Sequence, residues 1–483
     1  MRLIKNEGLT FDDVLLVPQK TSLASRQEAQ TTTRLTRRLT INIPMISANM
    51  DTVTESTMAI AMARLGGIGI IHRYMSIEDE VRQVEKVKRS ESIVIDEPYT
   101  IGPQETAASA LAMMKRHGVS GLLVTNSHGI LVGILTTRDT IYIDRPQETK
   151  VAQIMTSREK LVTGKRGIKP EKAKKLLETR RLEKLPLIDE SGRLAGLVTI
   201  KDIVEKKTLY PKAVKDPKGR LLVGAAIGVK GDYLERAEAL AGAGCDVLVL
   251  DIAHGHATYA MDAVKKIKLR LGAETQLIAG NIATYEGARD LARAGADAIK
   301  VGVGPGATCI TRVVAGSGVP QLSAIMDSAR VTKERGVPII ADGGIQNSGD
   351  VVKALSAGAS SIMIGSILAG TEESPGATII RDGIKYKICR GMASLGAAFG
   401  RAEAQGARLE EDAAEQVVAE GVEAMVPYRG SCSETISQLT GGLRSGMSYC
   451  GSKTIPELWK KAVFMKISHA GFLESRPHDL KKA

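Results

Sequence analysis

The second half of the chain alternates short apolar runs with longer amphipathic runs. Between about 221 and 370, β-branched stretches such as CDVLVLDIA and PIIADGG are separated by Ala-, Lys- and Glu-rich stretches such as YEGARDLARAGA. Continuous apolar strands are typical of a parallel sheet buried on both faces, and the intervening stretches are helical in character. The pattern predicts repeated β/α units, which build either a doubly wound sheet or a (β/α)8 barrel.

The residues at the predicted strand ends favour the barrel. Two earlier apolar runs, INIPMISANMDT and GGIGIIHR, supply the strands that complete a ring of eight. The active-site loops of a barrel follow its strands. Here polar or glycine residues follow nearly every late strand, namely Asp251, Asn281, Gly302 to Gly306, Asp342 to Gly344, and Gly365 with Ser366. We therefore predict an α/β fold, a TIM barrel interrupted by an inserted domain.

The interruption, at about 92–207, contains an internal repeat. VSGLLVTNSHGILVGILTTRD at 119–139 matches LEKLPLIDESGRLAGLVTIKD at 182–202, and each copy predicts helix, strand, turn, strand, helix. The insertion resembles a tandem cystathionine-β-synthase-type (CBS) pair, a module that commonly binds adenine or guanine nucleotides. We place the two repeats at about 92–148 and 149–207, and the catalytic barrel at 1–91 and 208–483.

Each CBS repeat has a hydroxyl and a carboxylate at the same spacing. Thr136 and Thr199 end a predicted strand, and Asp139 and Asp202 begin the next helix. This arrangement suits a ribose and makes the four residues candidates for a regulatory nucleotide site. The alternative is that both aspartates only cap helices, which the residue chemistry alone favours.

The segment from about 371 to 483 is rich in Gly, Ser and Glu. It contains a long polar run, FGRAEAQGARLEEDAAEQVVAEGVE, that follows neither a strand nor a helix period. Long polar connections of this kind are often active-site lids. We expect a mobile flap at about 385–430, followed by a C-terminal tail.

Composition narrows the class of protein. The 483 residues are 43% hydrophobic and 25% charged, which excludes a disordered chain, and no apolar run approaches the roughly 18 residues of a membrane span. The five cysteines are widely spaced without any C-x-x-C, which argues against a disulfide framework or a zinc site. The net charge of +12 favours anionic partners, and nucleotide phosphates explain it as well as nucleic acid does.

The run VGVGPGATCITR at 301–312 carries the strongest chemical signal. An apolar strand leads into three glycines and then presents Cys309. Glycines allow tight turns and expose amides that can cradle phosphate, and a cysteine on such a loop can ionise. We interpret Cys309 as a nucleophile. The alternative, a small buried hydrophobe, is the interpretation we favour for Cys245 and Cys389.

Two later glycine loops, ADGGI at 341–345 and MIGSILAG at 363–370, follow consecutive strands. Barrels often hold a phosphate at these positions, so the loops predict a phosphorylated small-molecule substrate near the cysteine, with Asp342 bonded to a ribose. Asp251 and Asn281 are candidates for binding a second ligand, or for capping helices. His254 and His256 have no further ligand nearby, so we predict no metal there.

Taken together, these motifs resemble the IMP dehydrogenase and GMP reductase family over nearly the whole chain. The matching runs, in family order, are GLTFDDVLLVP, MDTVTE, GGIGIIHR, GPGATCITR, GSGVPQ, ADGGI, AGTEESPG, RGMASLGA, EGVE and GGLRSGMSYCG. The resemblance implies a barrel fold, a tetramer or octamer, a purine mononucleotide substrate and a nicotinamide cofactor. It also implies that Cys309 attacks purine C2 to form a covalent thioimidate.

The flap separates the two activities of the family. Dehydrogenases oxidise IMP with NAD and hydrolyse the thioimidate to XMP, using water activated by an Arg-Tyr pair in the flap. Reductases release ammonia from GMP and form IMP with NADPH. Between Arg390 and Glu420 this chain has only Arg401 and Arg408, followed by Ala402 and Leu409, and no tyrosine. The Ala48-Asn49-Met50 run before MDT also resembles the reductases.

We therefore expect a CBS-regulated GMP reductase. The alternative is an IMP dehydrogenase in which Arg408 activates the water from a shifted flap register. A third hypothesis, from a different class, is a nucleotide sensor or nucleic-acid-binding protein without catalysis, which would draw on the net charge and the CBS pair.

The resemblance also implies roles for individual residues. Thr311 and Glu420 would handle the proton that the departing ammonia needs, because a hydroxyl is a poor base without a neighbouring carboxylate. Substrate contacts would come from Asn49, Met50, Asn281, Gly306, Asp342, Gly343, Gly344, Gly365, Ser366, Met392 and Ala393. Cofactor contacts would come from Asp251, Ala253 and Gly302, and K⁺ would bind carbonyls of Gly304, Gly306 and Cys309. Two departures, Ala307 and Cys389, remove hydroxyl groups that relatives use to bind phosphate.

The expected partners follow from the same resemblance. They are GMP and IMP at the barrel, ATP, GTP or GMP at the CBS pair, and further copies of the chain in a homotetramer or octamer. We expect neither membrane nor nucleic-acid binding. We expect a cytoplasmic protein, because the terminal Lys-Lys-Ala does not match the peroxisomal Ser-Lys-Leu signal.

Overall fold

The computed structural model describes residues 7–90, 94–95, 97–141, 143–168, 170–200, 210–404 and 418–477. The chain divides into two compact units, one formed by 1–90 with 212–483 and the other by 91–211. None of the helices within the described ranges combines the length and apolar character needed to cross a membrane.

The first segment of the larger unit contains five strands and two helices. The strands are β1 (Val14–Leu16), β2 (Thr33–Arg34), β3 (Thr40–Ile41), β4 (Met45–Ser47) and β5 (Ile68–Ile71), and the helices are α1 (Ser56–Leu65) and α2 (Ile77–Arg89). Helix α2 begins at Ser76, whose side chain accepts a hydrogen bond from the Asp79 amide, and three acidic residues in its first turn complement the helix dipole.

The smaller unit contains two similar four-stranded sheets. Its strands are β6 (Val94–Ile95), β7 (Thr100–Ile101), β8 (Gly121–Thr125), β9 (Leu131–Thr136), β10 (Thr156–Ser157), β11 (Gly164–Lys165), β12 (Lys184–Ile188) and β13 (Leu194–Thr199), and its helices are α3 (Ala107–His117), α4 (Val151–Ile154) and α5 (Pro170–Arg180). The sheet orders are β10-β9-β8-β7 and β11-β12-β13-β6. In the first copy the helix predicted after the second strand is a short 3₁₀ helix at Thr137–Thr140. The corresponding stretch of the second copy, including Asp202, lies outside the described residues.

The second segment of the larger unit supplies the remaining elements. Its strands are β14 (Gly224–Ile227), β15 (Val247–Asp251), β16 (Gln276–Ile282), β17 (Ala298–Val301), β18 (Ile339–Asp342), β19 (Ser361–Ile364), β20 (Thr378–Arg381), β21 (Ile384–Arg390), β22 (Glu423–Pro427) and β23 (Phe464–Lys466). Its helices are α6 (Tyr233–Gly242), α7 (Thr258–Leu271), α8 (Tyr285–Ala294), α9 (Thr311–Val314), α10 (Gln321–Ser328), α11 (Arg330–Arg335), α12 (Ser348–Ser356), α13 (Ser366–Ala369), α14 (Leu395–Ala404), α15 (Cys432–Tyr449), α16 (Ile455–Lys461) and α17 (His469–Glu474).

Eight parallel strands close into a barrel in the order β14-β15-β16-β17-β18-β19-β4-β5. The (β/α)8 prediction is confirmed, and β4 and β5 are the strands that the early INIPMISANMDT and GGIGIIHR runs contribute. All four residues of β5, β14, β17 and β19 are buried, which explains why these strands are mainly apolar; Lys300 in β17 and Ser361 in β19 are the polar exceptions. Packing is close enough that a Cβ on Gly69 would lie 2.5 Å from the Ala59 Cα of α1.

The segment after 371 is more regular than its sequence suggested. We predicted a mobile flap and tail, but β20, β21 and β22 form an antiparallel sheet, and α15 packs against α1 and α12. Strand β23 pairs with β1, so an early and a late segment of the larger unit are adjacent. The prediction missed the strands because their buried positions are few, and β20 is exposed along its whole length. Residues 405–417, within the polar run, lie outside the described residues.

A buried ion pair links two helices on the outside of the barrel. Arg236 Nη1 of α6 lies 2.6 Å from Glu80 Oε2 of α2, and neither side chain is more than 4% exposed. We expect Arg236→Met to lower the free energy of unfolding by about 3–5 kcal/mol, because Glu80 would lose its buried cation. Burial raises the pKa of Glu80 to about 8 even beside Arg236, so in the variant the isolated carboxyl must either be charged in the interior or take up a proton. Urea unfolding followed by circular dichroism measures the change.

The control for this prediction is an exposed pair on neighbouring helices. Arg270 of α7 pairs with Glu238 of α6 at the surface, where an ion pair contributes little. Arg270→Met is expected to leave the unfolding midpoint unchanged. Equal midpoints for Arg236→Met and the wild type would contradict the prediction.

Candidate active site

A cleft of about 840 Å³ opens at the carboxyl ends of the barrel strands, within the size range of small-molecule sites. It brings together most of the residues that the sequence singled out. Those lining it are Cys309, Thr311, Glu420, Asn49, Met50, Asp251, Ala253, Asn281, Gly302, Gly304, Gly306, Asp342, Gly343, Met392 and Ala393. Gly344, Gly365 and Ser366 do not line it, although a Cβ on Gly365 would come within 3.0 Å of the Met50 sulfur.

The cysteine loop leaves β17 at a position that only glycine can occupy. Gly302 has a φ of +151°, and a Cβ there would lie 2.0 Å from the Asp342 carbonyl oxygen. The loop then turns back, so that the Cys309 amide donates to the Gly306 carbonyl at 3.0 Å. Cys309 is half-buried at the cleft wall. The glycines thus bring the thiol over the end of the barrel without blocking the cleft.

Backbone hydrogen bonds fix Glu420 beside the cysteine loop. The Ile310 amide donates to the Glu420 carbonyl at 2.8 Å, and the Val422 amide donates to the Thr308 carbonyl at 2.9 Å. On the other side, the Glu420 amide donates to the Ala393 carbonyl at 3.0 Å. This short antiparallel contact positions the carboxylate by main-chain geometry.

Three side chains form a continuous hydrogen-bonded line. Cys309 Sγ lies 3.2 Å from Thr311 Oγ1, and the Thr311 hydroxyl donates to Glu420 Oε2 at 2.7 Å, although 109 positions separate the last two residues. Because the carboxylate holds the hydroxyl hydrogen, the Thr311 oxygen lone pairs are available to the thiol and to a ligand. The arrangement can therefore move a proton to or from an atom bound next to Cys309.

One wall of the cleft joins the segments at 48–52 and 390–393. Arg390 Nε donates to Asp51 Oδ2 at 2.7 Å, and the Arg390 amide donates to Thr52 Oγ1 at 3.2 Å. The Tyr74 hydroxyl donates to the Met392 carbonyl at 2.9 Å. These bonds hold Asn49, Met50, Met392 and Ala393 as one surface, where a flat base can lie against the methionine side chains.

The opposite floor is polar and includes a residue that we did not predict. Lys300 Nζ donates to Asp342 Oδ2 at 2.7 Å and to Asp251 Oδ1 at 3.2 Å, and Asn281 Nδ2 donates to the same Asp342 oxygen at 2.9 Å. Asn281 Oδ1 is buried without a protein partner. Lysine within the apolar run DAIKV was the available signal, because a charged residue in the middle of a buried strand requires a partner.

The cleft continues past Asp251 to the loop after β14. Lys230 and Tyr259 line this end, with Lys230 Nζ 5.4 Å from the Tyr259 ring centre. Arg73, after β5, also lines the cleft, and its Nε is buried without a partner. We did not predict these three residues. The unpaired Arg73 nitrogen is a donor that a further polar ligand could use at this end of the cleft.

At two positions, Ala307 and Cys389, the chain lacks a hydroxyl group that the family resemblance leads us to expect. Ala307 has no hydroxyl, and Cys389 is fully buried in β21, where burial raises the pKa of its thiol. The backbone at Gly343 and Gly344 is left-handed, with φ of +92° and +81°, and Gly344 lies near Phe11 and Pro305. Ser366 begins α13, next to Gly365 at the end of β19.

No group of three or more His, Cys, Asp or Glu side chains within the described ranges is arranged to hold a metal ion. His256 instead lies 3.1 Å from Asp290. For a monovalent cation the relevant atoms are loop carbonyls. Gly306 already accepts the Cys309 amide and keeps a second lone pair, so the loop fits the expected site at Gly304, Gly306 and Cys309.

In the smaller unit, the carboxylate of Asp139 is engaged within its own turn. Asp139 Oδ2 accepts hydrogen bonds from the Thr136 amide at 2.7 Å and from the Thr136 hydroxyl at 2.8 Å. This is the capping geometry of the alternative interpretation, and a ribose would compete with it. Thr199 ends β13 as predicted, and Asp202 lies outside the described residues. Arg408, the water-activating candidate, also lies outside them.

Comparison with known proteins gives the chain its family. The model of the IMP dehydrogenase / GMP reductase domain matches residues 8–478. The chain is 54% identical to the inosine-5'-monophosphate dehydrogenase of Nitrosopumilus maritimus, over 98% of both chains. It is 48% identical to the GMP reductase of Leishmania major, over 99% of this chain and 98% of the relative.

The GMP reductase of Trypanosoma brucei has a similar structure. A Cys-to-Ala variant solved in complex with guanosine 5'-monophosphate superposes with a TM-score of 0.85 at 45% identity, covering 99% of this chain and 98% of that one. The same enzyme has been solved with guanosine 5'-triphosphate, with a TM-score of 0.74 at 41% identity, covering 96% of this chain and 98% of that one. The chain therefore belongs to the IMP dehydrogenase / GMP reductase family of purine nucleotide oxidoreductases, which use a nicotinamide cofactor.

Proposed function

We propose that the protein is a GMP reductase that converts GMP to IMP and ammonia with NADPH. The observation that carries the proposal is the hydrogen-bonded series of Cys309, Thr311 and Glu420. Glu420 Oε2 lies 2.7 Å from the Thr311 hydroxyl oxygen. It provides a proton path for a leaving amine. The flap contains no tyrosine between Arg390 and Glu420 that could help to activate water.

In the first step the Cys309 sulfur attacks C2 of GMP. The S–C2 bond forms, the C2–N bond breaks, and the thiol proton leaves on the amine as ammonia, so a thioimidate remains. Thr311 is placed to relay this proton, because Glu420 holds its hydroxyl hydrogen and directs its lone pairs towards the sulfur. Met50 and Met392 would border the purine, and Asp342 would bind the ribose.

Asp251, Ala253 and Gly302 would hold the nicotinamide end of the cofactor, and Lys230 and Tyr259 line the cleft beyond them. When bound, NADPH supplies the hydride that replaces the amino group at C2. The Cys309 sulfur then leaves as thiolate and is reprotonated from solvent. K⁺ held by the carbonyls of Gly304, Gly306 and Cys309 would stabilise the turn that presents the thiol.

The test follows absorbance at 340 nm with purified protein and K⁺ in two parallel reactions. We expect absorbance to fall with GMP and NADPH, with one ammonia released per NADPH consumed, and to stay constant with IMP and NAD. NADH in place of NADPH in the first reaction tests cofactor preference. Absorbance that rises with IMP and NAD, with XMP as product, would overturn the proposal.

IMP dehydrogenase is the second candidate, and a specific observation favours it. The relative that is 54% identical to this chain is an inosine-5'-monophosphate dehydrogenase, whereas the reductases compared are 41–48% identical. In that case NAD would be the cofactor and Arg408 would activate water. Loss of XMP formation in Arg408→Gln would identify that role.

For the unit at 91–211 we propose a tandem CBS domain that binds purine nucleotides and regulates the barrel. The support is its pair of matching sheets and the corresponding positions of Thr136 and Thr199 at the ends of β9 and β13. We further propose that the enzyme is cytoplasmic and assembles as a homotetramer or octamer.

A further inference from the structure

Lys300 is a buried cation in the middle of β17, the strand that leads into the cysteine loop. Its side chain is 3% exposed, and its ammonium lies 2.7 Å from Asp342 Oδ2 and 3.2 Å from Asp251 Oδ1. Burial lowers the pKa of Lys300, but the two carboxylates outweigh it and raise that pKa above its ordinary value. The lysine is therefore charged at neutral pH.

The same network fixes one oxygen of Asp342. Oδ2 accepts from Lys300 and, at 2.9 Å, from Asn281, which also donates to the Gly302 carbonyl at 2.8 Å. Among the described residues, Oδ1 of Asp342 has no hydrogen-bond donor. The carboxylate cannot rotate without losing both bonds, so one oxygen is committed to the protein and the other is left for a ligand in the cleft.

We propose that Lys300 is a positioning residue that holds Asp342 so that its free oxygen accepts hydrogen bonds from the ribose hydroxyls of the bound nucleotide. The inference rests on the proposed function in that the ligand is a purine ribonucleotide. An ion pair that only stabilised the fold would also be buried, but its loss would weaken the binding of all ligands equally. Lys300 is expected to affect ligands with ribose hydroxyls and to spare those without them.

The experiment compares GMP with 2′,3′-dideoxy-GMP by titration calorimetry. The full chain carries Cys309→Ala, so that binding is measured without chemistry. We expect this protein to bind GMP roughly 10- to 100-fold more tightly than the dideoxy nucleotide, because hydrogen bonds to a charged group are lost. Adding Lys300→Met is expected to reduce that ratio to below about threefold and to leave the affinity for the dideoxy nucleotide within about threefold.

Lys268→Met is the matched control. Lys268 is also a largely buried lysine paired with an aspartate, Asp297, but neither residue lines the cleft. We expect this variant to keep the wild-type ratio. In the otherwise unmodified enzyme, Lys300→Met is expected to raise the KM for GMP at least tenfold while kcat changes less than threefold.

The inference would be overturned if adding Lys300→Met left the ratio of the GMP and dideoxy-GMP affinities unchanged. It would also be overturned if that ratio were near one in the Cys309→Ala protein itself. If Lys300→Met does not fold, Lys300→Gln is used instead, because it keeps a polar side chain and removes the charge. The ratio is again expected to fall, and an unchanged ratio overturns the inference. The titrations are repeated with IMP and 2′,3′-dideoxy-IMP. Binding of IMP without binding of GMP would refute the proposed function while the IMP pair still tests Lys300.

Discussion

Cys309→Ala is expected to lower kcat for GMP reduction by at least about 10⁴-fold while GMP still binds. The substitution removes the atom that forms the bond to C2, and no other nucleophile lies in its place; loss of a nucleophile typically costs this much. NADPH consumption gives kcat, and titration calorimetry gives the affinity for GMP.

Cys450→Ala is the matched control, because Cys450 is buried beyond the end of α15 and does not line the cleft. It is expected to keep wild-type kcat. Alkylation with iodoacetamide adds a second readout: burial raises the pKa of the Cys389, Cys432 and Cys450 thiols, so Cys309 should react first and GMP should protect it. Substantial turnover in Cys309→Ala would refute covalent catalysis at this residue.

Glu420→Gln is expected to lower kcat roughly 10²- to 10³-fold and to change the KM for GMP less than about threefold. The amide keeps the size of the side chain, but it cannot take charge when Thr311 relays a proton, and general acid–base groups contribute this much to a rate. Because the Glu420 backbone bonds to Ile310 and Ala393 do not involve the side chain, the loop should keep its position. Steady-state kinetics with varied GMP measures both constants.

Glu423→Gln provides the comparison for this variant. Glu423 begins β22 three positions later, and its Oε1 accepts from the Gly396 amide, a bond that glutamine can keep. It does not line the cleft, and wild-type kcat is expected. A Glu420→Gln enzyme with unchanged kcat, or one whose loss appears only in KM, would show that Glu420 carries no proton in the slow step.

The barrel was predictable because its information is local. The buried strands show apolar runs, and two of them, β15 and β18, end in the aspartates Asp251 and Asp342. The antiparallel sheet of β20 to β22 was not predicted in this way. Strands β20 and β22 are mostly exposed, and although IKYKI in β21 alternates apolar and polar residues, the positions that are buried are Lys387 and Cys389. Its pairing depends on contacts distant in sequence.

The same distinction between local and distant sequence information applies to the residues of the site. Cys309 and the glycines around it are recognisable from one loop, and the structure places Thr311 next to the thiol as the spacing requires. Lys300 and Arg73 were missed because a single cation within or after an apolar strand has no sequence partner. Only the folded barrel shows that Lys300 pairs with Asp251 and Asp342 and that Arg73 Nε has no partner.

The backbone bonds on both sides of Glu420 have a consequence for insertions and deletions. Glu420 and Val422 are held by Ala393, Ile310 and Thr308 through main-chain groups, which almost any side chain leaves intact. The stretch between 393 and 420 thus begins and ends at residues held by main-chain hydrogen bonds. Its length and composition can change without moving the Glu420 carboxylate. That stretch includes the positions at which dehydrogenases carry their Arg-Tyr pair. We therefore expect an insertion or deletion within this stretch to leave the main-chain hydrogen bonds of Glu420 to Ile310 and Ala393 intact.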